Sequence, residues 1–194
     1  MRRVALYGGS FNPIHLGHIA VAKSVIDQRL CDEVWLMVSP QNPLKPSADL
    51  LPEQDRLDMA RMAVMGMEGV KVSDFEFNLP RPSYTWRTVQ ALEAACPGTS
   101  FTVLIGSDNW LVFDRWARHD VILRRYGLIV YPRSGYDVTA KMLPPEVHLL
   151  NVPKFDYDST TVRQLVRQGE DVSSLVPRAV AETIRARHFY AAPI

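Results

Sequence analysis

The chain has few cysteines, little net charge and no long apolar run. Its 194 residues include only two cysteines, Cys31 and Cys96, which are too few for a disulfide scaffold. Lysine and arginine total 22 against 21 aspartate and glutamate residues, so the basic excess of general nucleic-acid binders is missing. The apolar runs are strand-sized and fall short of the roughly 18 residues that a membrane span needs. We therefore expect neither a nucleic-acid nor a membrane partner.

The N-terminus also lacks the apolar segment of a signal peptide. Arg2 and Arg3 are followed by the short apolar run Val4–Tyr7 and then by two glycines. The composition is otherwise that of a globular protein, with 47% hydrophobic and 22% charged residues. We expect one domain over residues 1–194 in the reducing cytoplasm, and a homo-oligomer stays open.

Apolar strand-like runs alternate with segments of helical periodicity. Strands are predicted at Val4–Tyr7, Val34–Val38, Val70–Phe77, Phe101–Ile105, Leu128–Tyr131 and Val147–Val152. Helices are predicted at Leu16–Leu30, Pro52–Met65, Ser83–Ala95 (capped by Ser83 or Thr85), Ser159–Gln168 and Pro177–Tyr190, and residues 155–194 form a C-terminal helical subregion. This alternation predicts an α/β fold with a parallel sheet covered on both faces. Ligands then bind at the carboxyl ends of the strands, where the winding direction reverses.

The turn after the first predicted strand has the composition of an anion-binding site. Gly8 and Gly9 allow a sharp turn and a close approach of backbone to ligand. The following helix offers unpaired N–H groups at its N-terminus, which favour an anion. His15 and His18 share one face of its first turn, and each imidazole can donate to a phosphate oxygen.

Two plainer interpretations of this turn stay open. Taken alone, the glycines suit an ordinary strand–helix connection, and one histidine suits a helix start. The histidine pair could also bind zinc, although the other histidines and cysteines do not follow at the spacing of zinc ligands. The G-x-x-x-x-G-K-[ST] and G-x-G-x-x-G phosphate motifs do not occur.

The string His15-Leu16-Gly17-His18 resembles the His-x-Gly-His signature of the nucleotidylyltransferase superfamily. The whole segment 8–18 is similar to the nicotinate-mononucleotide adenylyltransferase branch of that superfamily. The resemblance implies a Rossmann-like nucleotidylyltransferase fold. It also implies that His15, His18 and the turn residues Gly8, Gly9, Ser10 and Phe11 hold the phosphates of ATP.

Two further segments resemble phosphate-binding parts of the same family. Lys45 matches a family lysine that follows an Asn-Pro loop. Residues 157–163 resemble the second signature Ile-Ser-Ser-Thr-x-x-Arg, which implies phosphate binding by Ser159, Thr160 and Arg163. Asp158 departs from that signature and would repel a triphosphate, so we expect it to cap the helix or to face away.

The acceptor-binding residues follow from resemblance to the nicotinate branch. The segments Ser-Tyr-Thr-x-x-Thr and Gly-x-Asp-Asn match Ser83, Tyr84, Thr85, Gly106 and Asp108. They imply contacts of Thr85 and the Trp116 neighbourhood with the pyridine carboxylate, and of Asp108 with a nucleotide. Arg133 resembles the arginine of a family Arg-Pro-Gly loop, with Ser134 in place of proline. Core packing remains the plainer alternative for a tryptophan such as Trp116.

The implied reaction is adenylyl transfer from ATP to nicotinate mononucleotide, with Mg²⁺ bound by phosphates and water rather than by protein side chains. Nicotinamide mononucleotide, phosphopantetheine, or a cytidylyl transfer to a sugar or polyol phosphate are alternatives. A non-catalytic nucleotide-sensing module is a further one. A serine hydrolase using Ser10 or Ser107 is disfavoured, because neither lies in G-x-S-x-G. His119, His148 and His188 have no motif context and are expected to be structural or on the surface.

Overall fold

The computed structural model describes residues 1–40 and 50–191 of the chain. Its strands are β1 (Arg2–Gly9), β2 (Glu33–Val38), β3 (Val70–Ser73), β4 (Thr99–Gly106), β5 (Leu128–Tyr131) and β6 (Val147–Leu149). Its α-helices are α1 (Leu16–Asp27), α2 (Glu53–Ala63), α3 (Thr85–Ala95), the single turn α4 (Ser107–Trp110), α5 (His119–Tyr126), α6 (Ser159–Arg167) and α7 (Arg178–Ala186). Within these two ranges, a helix long and apolar enough to cross a membrane does not occur.

The strands form one parallel sheet in the order β3-β2-β1-β4-β5-β6. The chain builds outward from β1 through β2 and β3, and then resumes on the other side of β1 with β4. This is the strand order of Rossmann-like folds, and it confirms the predicted fold class. It also brings the loops that follow β1 and β4 together at the switch point of the sheet, where such folds bind ligands.

Neighbouring residues of β1 belong to different hydrophobic cores. Ala5 and Tyr7 lie in the core on one face of the sheet, and Val4 and Leu6 lie in the core on the other. All four residues are buried. Because both faces are covered, the central strands appear in the sequence as continuous apolar runs rather than as alternating patterns.

The C-terminal helices share the core of α1 and α2. Val162 of α6 and Val180 and Ile184 of α7 are buried in it. Helix α6 begins where the sequence predicts, because the carboxylate of Asp158 accepts a hydrogen bond from Thr161 N–H at 2.9 Å. The single domain stays a prediction, which this shared core supports.

Several predicted boundaries are wrong, and two of them have a visible local cause. The helices predicted to end at Leu30, Met65 and Tyr190 end at Asp27, Ala63 and Ala186, and the strand predicted to end at Val152 ends at Leu149. The strand predicted over Val70–Phe77 ends at Ser73, and a 3₁₀ turn covers Phe75–Asn78. Ser73 Oγ accepts a hydrogen bond from Phe75 N–H at 3.2 Å, which offers the backbone a local alternative to the strand ladder. Helix α3 begins at Thr85, and neither Ser83 nor Thr85 caps it, since its N-cap residue is Tyr84.

Candidate active site

A cleft of about 210 Å³ lies at the carboxyl edge of the sheet, where the loops after β1 and β4 meet. The β1–α1 turn forms one wall, the loops after β4 and β5 another, and the start of α6 a third. Its described lining comprises Tyr7, Gly8, Gly9, Ser10, Phe11, Asn12, His15, His18, Leu50, Asp108, Asn109, Tyr131, Arg133, Asp158, Ser159, Thr160 and Arg163. The structure thus brings together most of the predicted phosphate-binding residues.

The glycine turn combines open space with a tightly packed support. A side chain at Gly8 would meet no atom within 4 Å, so the backbone there is open to a ligand. At Gly9 a Cβ atom would lie 3.1 Å from the ring of Phe11. The Phe11 side chain is itself buried, with a positive φ of 45°. The Phe11 ring therefore packs against the turn at Gly9. Because the ring is buried, the part of Phe11 that can contact a ligand is its backbone.

The two imidazoles of the signature are stacked, with ring centroids 3.7 Å apart. Nδ1 of His18 accepts a hydrogen bond from the backbone N–H of His15 at 3.2 Å. A neutral His18 ring therefore carries its proton on Nε2, which becomes its donor group. Burial lowers the pKa of His15 to about 4, and the positive charge of Arg133 adds to this effect. His15 is thus a neutral imidazole at physiological pH.

The expectation of unpaired N–H groups at the start of α1 is wrong for part of that turn. The N–H of Leu16 donates to Leu175 O at 2.8 Å, and the N–H of His18 donates to His15 O at 3.0 Å. These amides already have partners within the protein. The imidazoles and the glycine turn, rather than these amides, are the groups of this wall that an anion in the cleft would meet.

The second predicted motif is anchored to the β1–α1 turn. Ser159 Oγ donates to Pro13 O at 2.9 Å, and Arg163 Nη1 donates to Asn12 O at 2.8 Å. Arg163 Nη2 contacts Thr160 Oγ1 at 3.3 Å, and these partners of Arg163 are uncharged. Arg163 Nε is buried and makes no hydrogen bond with the described residues. The Arg163 guanidinium therefore presents positive charge at the cleft.

Asp158 caps α6, as the first of the two expectations for it states, and it also lines the cleft. Arg133 lies between two carboxylates, with its Nη1 at 2.9 Å from Asp108 Oδ2 and its Nη2 at 3.9 Å from Asp158 Oδ2. The guanidinium offsets the negative charge of both groups. Oδ1 of Asp108 is buried and has no hydrogen-bond partner among the described residues.

The predicted acceptor residues divide into two groups. Asp108 and Arg133 line the cleft, and Gly106 supports them, since a Cβ atom there would lie 2.4 Å from Asp108 Oδ1 and 2.8 Å from Arg133 Cδ. Ser83, Tyr84, Thr85 and Trp116 do not belong to the described lining. Trp116 packs half-buried against Phe113, with ring centroids 5.5 Å apart. Lys45 lies outside the described residues.

Sequence reasoning missed two phenols on the cleft wall. Tyr7 and Tyr131 pack edge to face with ring centroids 5.5 Å apart, and burial raises the pKa of both. They are neutral donors or acceptors inside the cleft. Their strands predicted burial, but nothing in their own segments predicts that the two rings meet.

A second missed contact joins the C-terminus of the described chain to the turn. The hydroxyl of Tyr190 donates to Asn12 Oδ1 at 2.9 Å, and Leu51 N–H donates to the same oxygen at 3.2 Å. Asn12 therefore connects the turn to two remote segments. Over residues 1–40 and 50–191, His, Cys, Asp and Glu side chains do not form a group of three that could hold a metal ion.

Replacing Gly17 by alanine tests whether the position of the His15 ring matters. The added Cβ would lie 2.9 Å from Nδ1 and Cε1 of that ring and 3.3 Å from Phe155. Helix propensity alone predicts a gain of up to about 1 kcal/mol in stability. We expect instead a loss of kcat/KM of about tenfold or more, because the ring must shift. The matched control is Lys23→Ala, on an exposed position of α1. Equal activity of Gly17→Ala and the control would contradict the expectation.

The depressed pKa of His15 predicts a dependence of stability on pH. Between about pH 6.5 and 4 the unfolded state binds a proton at His15 that the folded state does not, so stability falls as the pH drops through this range. Near pH 4, protonation of His15 in the unfolded state lowers the free energy of unfolding by about 3 kcal/mol. Urea unfolding of the wild type and of His15→Gln from pH 7 to pH 4 measures it. Parallel profiles for the two proteins would contradict this account.

Comparisons with known proteins agree with the fold and the cleft. A family model described as cytidylyltransferase-like matches residues 6–165. A probable nicotinate-nucleotide adenylyltransferase of Bacteroides fragilis is 43% identical over 94% of this chain and 90% of its own length. One of Cytophaga hutchinsonii is 39% identical over 97% and 98%. The fold is similar to a Plasmodium falciparum nicotinic acid mononucleotide adenylyltransferase solved with NaAD, with a TM-score of 0.83, 17% identity and 98% coverage of both chains.

A doubly wound parallel sheet with an imidazole-lined cleft at its switch point is typical of nucleotide-binding α/β proteins. The histidine pair at the start of the first helix lies in the segment that resembles the nucleotidylyltransferase signature. The chain belongs to the cytidylyltransferase-like family, and within it to the nicotinate-nucleotide adenylyltransferases. This confirms the family resemblance read from residues 8–18 and from residues 157–163.

Proposed function

We propose that this chain transfers the adenylyl group of ATP to nicotinate mononucleotide, releasing pyrophosphate and forming nicotinate adenine dinucleotide. The observation that carries the proposal is the convergence of the stacked histidines, the open glycine turn and Arg163 on one cleft at the switch point. Curated relatives that span nearly the whole chain bear the name of this activity. The proposal places the phosphates of ATP in this cleft.

The reaction needs no protein nucleophile and no general base. The phosphate of the acceptor is already an oxyanion, and one of its oxygens attacks the α-phosphorus of ATP. The bond from that phosphorus to the oxygen bridging to the β-phosphate breaks, and its electron pair leaves with pyrophosphate. Catalysis is then a matter of positioning and of charge stabilisation.

The described groups suit these tasks. Nε2–H of His18 donates to the α-phosphate region, and neutral His15 keeps the His18 ring in place by stacking. Arg163 brings positive charge to the departing pyrophosphate, while Ser10, Ser159 and Thr160 add polar contacts. Lys45 remains the predicted second cation of this group.

ATP enters the reaction as a complex with a divalent cation, which we take to be Mg²⁺. This ion keeps several waters and binds through substrate phosphates. The buried Asp108 Oδ1, which lacks a hydrogen-bond partner among the described residues, suits a water ligand of such an ion. Bound to the phosphates, the cation neutralises part of their charge.

The acceptor pyridine would extend from the cleft towards the start of α3. Ser83 Oγ contacts Glu76 at 3.5 Å and Thr88 Oγ1 donates to Glu76 at 2.9 Å, so a buried carboxyl group fixes this segment. Thr85→Ala and Trp116→Ala should each raise KM for the acceptor more than KM for ATP. Steady-state kinetics with each substrate varied in turn measures this. Equal effects on both KM values would remove the basis for placing the pyridine there.

One assay tests the proposed function. The purified chain is given MgATP with either nicotinate mononucleotide or its amide, and pyrophosphate release is followed. We expect the acid acceptor to give the higher kcat/KM. A preference for the amide would overturn the acceptor assignment. ATP binding without turnover of either acceptor would overturn adenylyl transfer and favour a nucleotide-sensing module. The cytoplasmic location stays a prediction from the sequence.

A further inference from the structure

Arg56 of α2 is a fully buried arginine whose guanidinium is surrounded by backbone carbonyls. Its Nε donates to Leu51 O at 2.9 Å, and its Nη2 donates to Pro40 O at 2.8 Å. Its Nη1 donates to two carbonyls, Ser10 O at 2.6 Å and Ser39 O at 2.8 Å. The exposed fraction of Arg56 is 0%. The side chain is therefore held at four points of the main chain.

Stability of the fold alone does not explain why an arginine is buried here. Taking a charged group out of water is unfavourable unless partners satisfy it, and a well-packed apolar side chain often serves a core at least as well. Across the described ranges, Arg56 forms no close ion pair with a carboxylate, and the more distant charge of Glu53 offsets only part of the cost. Its N–H groups instead donate hydrogen bonds to carbonyl groups that belong to different segments. Such a group fixes the relative positions of those segments.

Arg56 joins a segment that lines the cleft to segments that lie behind it. Ser10 belongs to the glycine turn, Ser39 and Pro40 follow β2, and Leu51 leads into α2. Leu51 is held from both sides, because its N–H donates to Asn12 Oδ1 while its carbonyl accepts from Arg56. The glycine turn is thus fixed to β2 and α2 on one flank.

The opposite flank of the same turn is fixed by α6. Ser159 donates to Pro13 O and Arg163 donates to Asn12 O. Arg163 also faces the cleft, whereas Arg56 does not line it. Arg56 therefore makes no direct contact with a phosphate bound in the cleft, and its hydrogen bonds reach the cleft through the turn at Ser10.

We propose that Arg56 is a positioning residue for adenylyl transfer, which holds the turn at Ser10 in register with the ends of β2 and α2. The inference rests on the proposed function, since the turn is the wall that receives the phosphates of ATP. Loss of the guanidinium lets Ser10 and the adjoining turn shift relative to His18. A shift of about 1 Å in a reacting geometry costs on the order of 10²-fold in rate.

The test compares Arg56→Lys and Arg56→Met with Met59→Ala. Met59 is fully buried on the same helix and lies in the hydrophobic core, so its truncation lowers stability without touching the four carbonyls. For each variant, thermal unfolding, kcat, both KM values and the Kd of a nonhydrolysable ATP analogue are measured at a temperature where the protein is folded.

We expect kcat to fall by about 10–100-fold in Arg56→Met and by less in Arg56→Lys, which keeps the charge and some donors. The KM for nicotinate mononucleotide should change little. Met59→Ala should have a lower Tm, while its kcat stays near that of the wild type. If Arg56→Met does not fold, Arg56→Lys decides.

The outcomes separate this inference from the proposed function. A wild type that transfers adenylyl groups, together with folded Arg56 variants of unchanged kcat, would overturn only the role of Arg56. A wild type without transfer activity would overturn the proposed function. In that case an unchanged Kd of the ATP analogue in the Arg56 variants would overturn the positioning role as well, and a weakened Kd would support a role of Arg56 in positioning the turn for ATP binding.

Discussion

His18→Ala is expected to lower kcat by about 10²–10³-fold, or about 2.7–4 kcal/mol in transition-state stabilisation. The His18 ring is oriented before substrate arrives. Its centroid lies 3.7 Å from that of the His15 ring, on which it stacks, and 5.0 Å from that of the Phe11 ring. Its Nδ1 accepts a hydrogen bond from the backbone N–H of His15. Its donor is therefore fixed in direction, which makes it more effective in the transition state than a mobile group. Steady-state kinetics with saturating acceptor measures the change.

The control for this variant is His148→Ala. His148 lies exposed on β6, away from the cleft lining, so its loss should leave kcat unchanged. A reduction of less than about tenfold in His18→Ala would contradict the electrostatic role that we assign to this histidine. An equal reduction in both variants would show that the assay reports folding rather than chemistry.

Arg163→Met is expected to lower kcat/KM for ATP by on the order of 10²-fold. Arg163 is held by Asn12 O and Thr160 Oγ1, which are neutral partners, so its charge is directed to a ligand rather than to a protein carboxylate. Hydrogen bonds that involve a charged group contribute about 1.5–3 kcal/mol, and this one faces a polyanion. Arg163→Lys should recover part of the loss, because it restores charge without the planar fork.

Arg167→Met is the matched control, because it removes the same charge from an exposed position one turn further along α6. Its kcat/KM should stay close to that of the wild type. A similar loss in both variants would show that α6 acts through general charge. An unchanged kcat/KM in Arg163→Met would remove this residue from the phosphate site.

The fold was predictable because its signals are local. The buried strands at Val4–Tyr7 and Leu128–Tyr131 are short apolar runs, and their alternation with helical segments leads to a parallel sheet. The error at Val70–Phe77 has a local cause as well. Apolar residues recur at Phe75 and Phe77, but Asp74 interrupts the alternation of Val70 and Val72. At this point the Ser73 hydroxyl and the Asp74 carbonyl accept hydrogen bonds that turn the chain into a 3₁₀ segment.

The site was predictable only as far as its motifs extend. His15, His18 and Arg163 fall inside contiguous signatures, so the sequence identifies them. The hydrogen bond from Tyr190 to Asn12 spans 178 positions of the chain, and no local pattern encodes it. Arg56 likewise stands among the charged residues of α2, where an arginine is ordinarily solvated. Only the folded chain shows that it is buried against four carbonyls.

The central claim is that the cleft beside β1 receives the phosphates of ATP. A crystal structure with MgATP replaced by a nonhydrolysable analogue tests it most directly. We expect the phosphate chain within hydrogen-bonding distance of the His18 ring, the Ser10 segment and the Arg163 guanidinium. An analogue bound with its phosphates elsewhere on the molecule, and this cleft filled only by solvent, would contradict the account.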